Sequence, residues 1–140
     1  MTQPKVWIAS LVFIQAVIIA SAQGKTTLDG IYTETQAKRG EKTYAESCAS
    51  CHGDDLAGGG QTPALAGKEF NSDWNDLTMG DLFDRTRLSM PADKPGTLKP
   101  EQVADVIAFV LSKGNYPAGQ AELPADAASL KAIRFVSAKP

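Results

Sequence analysis

The sequence predicts an all-α domain, because its periodic segments have helical spacing and its glycine-rich stretch lacks the alternation typical of strands. The clearest predicted helix runs from Pro100 to Lys113, with a proline suited to the first turn and Gly114 as the stop. Its apolar side chains fall on one face, at Val103, Val106, Ile107 and Val110.

Three further elements follow from local patterns. A helix is predicted from Thr35 to Ser47, with Thr35 as its N-cap and small or apolar residues recurring three or four positions apart. Residues 53–67 are rich in glycine and predict a loop. Residues 71–88 predict one or two short helices separated near Gly80.

The first 22 residues are predicted to be a secretory signal. Lys5 precedes an apolar run over residues 6–20, and Ala20-Ser21-Ala22 has the small-x-small pattern, so we expect cleavage after Ala22. An uncleaved membrane anchor is the alternative, but a span needs roughly 20 apolar residues, and this run is shorter and contains polar residues. The expected location is therefore the periplasm, without stable membrane insertion.

The charge balance excludes some classes of partner. The chain of 140 residues has 14 basic and 16 acidic side chains, and loss of Lys5 with the leader leaves a formal charge of −3. A mildly acidic chain argues against nucleic acid and anionic lipid as partners.

The mature chain is expected to consist of an irregular N-terminus at 23–34, one domain at 35–113 and a C-terminal extension at 114–140. In the extension, three apolar residues are expected to pack along the domain, although a docking face is the alternative; they are Leu130, Ile133 and Phe135.

The strongest motif is Cys48-Ala49-Ser50-Cys51-His52, which has the C-x-x-C-H pattern of c-type haem attachment. Two thiols three positions apart at a helix end can each form a thioether with one of two vinyl groups on the same porphyrin edge. The histidine beside the second thiol is then carried under the iron. The spacing predicts one covalently bound haem c with His52 as the proximal ligand.

Three other readings of the motif compete. A redox-active Cys-x-x-Cys normally opens a helix beside a βαβ unit, whereas no strands are predicted here. A zinc site needs about four protein ligands, but the chain has one histidine and two cysteines. A structural disulfide is possible for a loop of this size, yet it leaves His52 without a role.

The single histidine excludes bis-histidine ligation by counting. Because Met1 leaves with the leader, the candidates for the second axial ligand are Met79 and Met90. Met79 lies on a helical face, where methionine is more often core filler. Met90 precedes a proline, which predicts extended backbone in a stiffened loop, and it is the preferred ligand. Lys94 and an open iron site are the remaining alternatives.

On these motifs the chain resembles the class I c-type cytochromes, most closely the small mono-haem cytochromes that accompany bacterial quinoprotein dehydrogenases. The resemblance covers most of residues 35–111. It implies that the N- and C-terminal helices cross, with a glycine and an aromatic on the first helix meeting partners on the last; the four residues are Gly40, Tyr44, Val106 and Phe109.

The resemblance also implies roles for three residues beside the haem. The carbonyl of Pro63 accepts the second N–H of His52, which orients the imidazole. Leu65 packs on the haem face, and Trp74 donates its indole N–H to a propionate. The plainer interpretations are an ordinary loop proline and a core tryptophan.

The predicted function is one-electron transfer rather than catalysis, because no second set of acid, base or nucleophile has cofactor-like spacing. The resemblance implies a quinoprotein dehydrogenase as electron donor and an oxidase or another carrier as acceptor. Two alternatives remain: a haem sensor or peroxidase-like protein with an open iron site, and a thiol-disulfide protein that uses Cys48 and Cys51.

Overall fold

The computed structural model describes Met1 and residues 24–138, so the predicted signal segment lies outside the described residues. Six helices follow in order: α1 (Glu34–Ser47), α2 (Ala49–His52), α3 (Gly67–Trp74), α4 (Met79–Ser89), α5 (Pro100–Lys113) and α6 (Ala127–Leu130). In this part of the chain the only β pairing consists of isolated bridges. The predicted all-α class is confirmed.

Among the described helices, α1 and α5 make the most extensive contact, where they cross. Gly40 lies against the backbone of Asp105, and a Cβ at this position would overlap the Asp105 carbonyl oxygen. The rings of Tyr44 and Phe109 pack beside it with centroids 5.1 Å apart. Only glycine permits this approach, so the crossing implied by the resemblance is confirmed.

Helix α5 has the predicted bounds and ends at Gly114. It begins after Lys99, whose backbone N–H donates to the Gln102 side chain at 3.0 Å and so finds a partner at the helix start. Met90 has extended backbone, with φ −121° and ψ 150°, as the following proline predicts.

The predicted N-cap of α1 is wrong. The helix begins at Glu34, and its cap is Thr33 rather than Thr35. The Thr33 hydroxyl accepts the backbone N–H of Gln36 at 3.1 Å, whereas Thr35 already lies in the first turn.

The predicted break near Gly80 is also wrong, because residues 75–78 separate α3 from α4 and Gly80 lies inside α4. Thr78 and Asp81 form a reciprocal capping box that starts α4. Gly80 instead lets α4 approach the backbone of Ala127 in α6. Helix α3 begins at Gly67, earlier than the predicted helical segment.

The core surrounds α5, which is buried on all sides over residues 106–111, and joins it to side chains from both ends of the described chain. Leu130 and Phe135 are fully buried, and Ile133 is nearly so. Near the other end, Tyr32 is buried and its hydroxyl donates to the Tyr116 carbonyl at 2.7 Å. The two segments that flank the helical domain therefore pack into its core.

Candidate functional site

The two cysteines lie on a turn that continues from α1. The backbone N–H of Cys48 donates to the Tyr44 carbonyl at 2.8 Å, and the Cys48 carbonyl accepts the His52 N–H at 2.9 Å. Cys48 is half-buried, Cys51 is exposed, and both thiols are free. A structural disulfide between them is absent, and the turn presents both sulfurs and the histidine together.

The Cys48 thiol is held in its protonated form. Burial, reinforced by the neighbouring Cys51, raises the pKa of Cys48 to about 11. Since the thiolate is the nucleophile in disulfide exchange, the raised pKa makes the Cys48 thiol a poor nucleophile.

His52 is buried, with only 6 % of its surface exposed, and is held by one directed hydrogen bond. Its Nδ1 lies 2.9 Å from the carbonyl oxygen of Pro63. A carbonyl oxygen only accepts, so Nδ1 carries the proton and Nε2 keeps the lone pair that a metal requires. The structure thus brings Cys48, Cys51, His52 and Pro63 into one cluster.

The glycine-rich loop determines where the Pro63 carbonyl lies. Gly58 donates its N–H to the His52 carbonyl at 2.9 Å, and its φ of +67° suits glycine. A Cβ on Gly58 would collide with the backbone of Thr62 and Pro63. Its repeated glycines predict a loop, but no sequence pattern indicates that this loop places the Pro63 carbonyl against His52.

Tyr44 adds a contact that the sequence analysis missed. Its hydroxyl donates to the Gly53 carbonyl at 2.7 Å and ties α1 to the residue after His52. Burial is the main reason that the pKa of Tyr44 rises to about 12, so the phenol stays a donor. The same ring therefore packs at the helix crossing and stabilises residues 48–53, which we call the histidine turn.

The two candidate methionines occupy different environments. Met79 begins α4 and is 0 % exposed, as expected for core filler. Met90 follows α4 as its C-cap and is half-buried. Lys94, the other candidate, is exposed and lies 4.0 Å from the carboxylate of Asp93.

Leu65 and Trp74 lie outside the hydrogen-bonded cluster. Leu65 is half-buried, and its N–H donates to the carbonyl of the buried Leu56 at 2.8 Å. Trp74 is half-buried against Phe70, with ring centroids 6.2 Å apart. The Trp74 indole N–H has no hydrogen-bond acceptor within residues 24–138.

The donor set fits a c-type haem. It consists of two free thiols on one turn and an adjacent imidazole that donates from Nδ1 to the Pro63 carbonyl. Within the described residues, no group of three or more His, Cys, Asp and Glu side chains could hold a metal ion. That finding leaves no zinc-type site in this part of the chain. In the same residues, no helix is long and apolar enough to cross a membrane.

Comparison with known proteins identifies a family, a relative in sequence and a relative in structure. Residues 35–110 match the family described as cytochrome C oxidase, cbb3-type, subunit III. The chain is 36% identical over 76 residues to cytochrome c6 of Anabaena variabilis, a match that covers 53% of this chain and 87% of the relative. Among solved structures, the sulfane dehydrogenase SoxCD from Paracoccus pantotrophus aligns with a TM-score of 0.44 and 22% identity. That alignment covers 64% of this chain and 54% of the other, so this chain spans about half the length of the SoxCD chain.

The matched range contains the whole cysteine and histidine motif, Pro63 and Met90. The family match, the identity to cytochrome c6 and the helical fold agree with one another. The chain therefore belongs to the class I c-type cytochromes, within the cbb3-type subunit III family, and it is an electron-transfer protein with one covalently bound haem c.

Proposed function

We propose that this cytochrome is a periplasmic one-electron carrier exported by residues 1–22. Cys48 and Cys51 attach the haem, His52 is the proximal iron ligand and Met90 is the second axial ligand. Cys48 and Cys51 would hold the haem through thioethers, which result from adding each S–H across a vinyl group and need no oxidant. The bound haem supplies a reversible one-electron iron couple, and the protein supplies ligands and orientation.

The observation that carries this proposal is the hydrogen bond from His52 Nδ1 to the Pro63 carbonyl. It fixes the tautomer and the ring orientation of a buried imidazole, as an outer partner does for metal-bound histidines. His52 follows directly after Cys51, so one turn holds both the attachment chemistry and the ligand.

The difference between the two methionines supports Met90 as the second ligand. Met79 is enclosed by the core, and its N–H donates to the Ile133 carbonyl at 2.9 Å. Met90 lies half-buried on extended backbone at a helix end, where its thioether can bind the haem iron without disturbing the core. Methionine ligation raises the reduction potential of a haem, which suits an acceptor of electrons.

Met90→Ala is expected to abolish the methionine-to-ferric-iron charge-transfer absorption and to lower the reduction potential. Met79→Ala is the matched control, because it deletes the same side chain from the core. It is expected to keep that absorption and to lower the free energy of unfolding by about 2–5 kcal/mol.

Optical spectroscopy and potentiometry on both variants decide the assignment. The opposite pattern would make Met79 the ligand. If the wild type also lacks this absorption and neither substitution changes the spectrum, Lys94 or an open iron site is favoured.

Two further contacts with the haem are part of the proposal. Leu65 packs on its face, and Trp74 donates its indole N–H to a propionate. The Trp74 ring is half-buried, and its indole N–H is solvent-accessible and unpaired within residues 24–138, so the N–H is available to donate to a propionate.

The proposed electron donor is a quinoprotein dehydrogenase, and the acceptor is an oxidase or another carrier. A reduced quinone cofactor holds two electrons and one haem iron accepts one, so two successive encounters are needed. Such contacts are transient and bury less than about 1,200 Å² in total. With a mature charge of −3, we expect only moderate dependence of the rate on salt.

Stopped-flow mixing of the oxidised cytochrome with a substrate-reduced quinoprotein dehydrogenase from the same cell tests this donor. Haem reduction is expected to be much faster than with substrate alone. Equal rates in the two mixtures would exclude the donor and leave the electron-transfer role in place.

A further inference from the structure

The C-terminal extension contains an extended segment, residues 133–136, which we call the tail segment. One edge of it pairs with the start of the described chain. Arg134 donates its N–H to the Lys25 carbonyl at 2.9 Å and accepts the Thr27 N–H at 3.1 Å. The fully buried Thr27 hydroxyl donates to the Val136 carbonyl at 2.6 Å and accepts the Val136 N–H at 2.9 Å.

The other edge of the tail segment pairs with residues 77–79, which we call the entry to α4. Phe135 donates its N–H to the Leu77 carbonyl at 2.8 Å, and Ile133 accepts the Met79 N–H at 2.9 Å. Alternate residues bond to opposite sides, as extended backbone requires. The tail segment therefore joins the N-terminal residues to the first turn of α4.

Helix α6 adds a second contact with the same turn. Gly80 faces the carbonyl oxygen of Ala127 and the side chain of Lys131, and a Cβ at Gly80 would lie 2.7 Å from that oxygen. Helix α4 packs more extensively on α6 than on α5. The extension thus provides the main helical support of α4.

Helix α4 connects this support to Met90. Its 11 residues correspond to a rod roughly 16 Å long, and Met90 follows its last residue. A tilt at the first turn is carried along the helix and displaces the far end. The position of the Met90 thioether consequently depends on contacts made at the opposite end of α4.

We propose that the tail segment and α6 are positioning elements for Met90, acting through α4. This inference depends on the proposed ligation of the iron by Met90. Loosening the support is expected to weaken the bond between Met90 and the iron while the remaining fold is kept.

Gly80→Ala is the sharpest test, because alanine favours helix more than glycine and so strengthens α4 itself. The added methyl group forces α6 away. In the holoprotein we expect added imidazole to displace the second ligand at a concentration about tenfold lower than in the wild type, a ratio that corresponds to ~1.4 kcal/mol. The methionine charge-transfer absorption is expected to weaken, and the far-ultraviolet circular dichroism to stay unchanged.

Thr27→Val tests the other edge of the tail segment with a side chain of the same shape. It removes both hydroxyl hydrogen bonds to Val136 and is expected to shift imidazole displacement in the same direction. Arg85→Ala is the control, since it changes an exposed side chain on α4 that lies five residues from Gly80 and so about 140° around the helix. Its displacement concentration is expected to match the wild type.

Wild-type displacement concentrations in both Gly80→Ala and Thr27→Val would overturn the inference. If Gly80→Ala does not fold, Thr27→Val alone decides. The Met90→Ala spectrum distinguishes failure of Met90 ligation from failure of the support by the tail segment and α6. Retained absorption in Met90→Ala rejects the ligation and this inference together, whereas lost absorption with unchanged displacement in the two support variants rejects this inference only.

Discussion

The histidine turn and the entry to α4 are built in opposite ways. Hydrogen bonds that hold the turn span 9 residues, from Tyr44 to Gly53, and 11 residues, from His52 to Pro63. The Thr27 to Val136 contact that backs the entry to α4 spans 109 residues. His52 is therefore held by hydrogen bonds to its sequence neighbours, whereas the entry to α4 is held by contacts from both ends of the described chain.

The largest expected effect concerns covalent attachment of the haem at the histidine turn. Cys48→Ala and Cys51→Ala are each expected to reduce or abolish covalent haem, because each removes one sulfur that forms a thioether. Haem staining after denaturing electrophoresis measures what is retained, since thioethers survive denaturation.

Ser50→Ala is the matched control, because it changes an exposed residue between the two cysteines. It is expected to retain the wild-type amount of haem. Complete extraction of haem from the wild-type protein by acid-acetone would contradict covalent attachment.

The second-largest expected effect concerns the crossing of α1 and α5, because α1 leads directly into the histidine turn. Gly40→Ala places a methyl group on the Asp105 backbone, and rigid backbone cannot move aside cheaply. We expect the free energy of unfolding to fall by about 3 kcal/mol. Denaturant unfolding of the holoprotein measures the change.

Gly59→Ala provides the comparison, since a Cβ at this loop position meets nothing within 4 Å. Its free energy of unfolding is expected to stay within about 0.5 kcal/mol of the wild type. Equal losses in the two variants would show that the close approach of α1 and α5 is not the cause.

The smallest effect is expected where the extension meets α1 at the surface. Arg39 pairs with Glu122 at 2.8 Å and with Asp105 at 2.9 Å. Both the Arg39 and Glu122 side chains are about half exposed, so Glu122→Gln is expected to cost less than about 1 kcal/mol. That cost should shrink at high salt.

The pH dependence of the same pair has a definite sign. Hydrogen bonding to Arg39 lowers the pKa of Glu122, so its contribution is present above the carboxyl's ordinary pKa and is lost as the pH falls through the lowered value. Thermal unfolding of the wild type and Glu122→Gln across the acidic range measures this loss. Glu46→Gln, an exposed change on α1, is the control; a larger effect there would contradict the role of the pair.

Short sequence patterns correctly predict the parts of the molecule that are held by contacts between residues close in the chain. The bounds of α5 follow from its apolar period, Pro100 and Gly114, and all three act within one helix. The break before α4 was placed wrongly because Gly80 is a contact residue for the distant α6 rather than a helix breaker. Its partner lies far along the chain, and no local pattern identifies such a partner.

The same contrast between local and distant contacts applies to the candidate site. The spacing of Cys48, Cys51 and His52 is complete within five residues and was recognised at once. The role implied for Pro63 came only from resemblance, although its carbonyl lies in hydrogen-bond contact with His52. The burial of Thr27 was not foreseen, because a threonine in a polar segment has no periodic pattern to mark it.

The long-range pairing of the tail segment also bears on the order in which the protein folds. Closing a large loop costs chain entropy before its contacts form, so pairings of high sequence separation tend to form late. We expect the histidine turn to assemble while the tail segment is still undocked. The thiols of Cys48 and Cys51 would then be available for haem attachment before the part of the molecule around Met90 has folded.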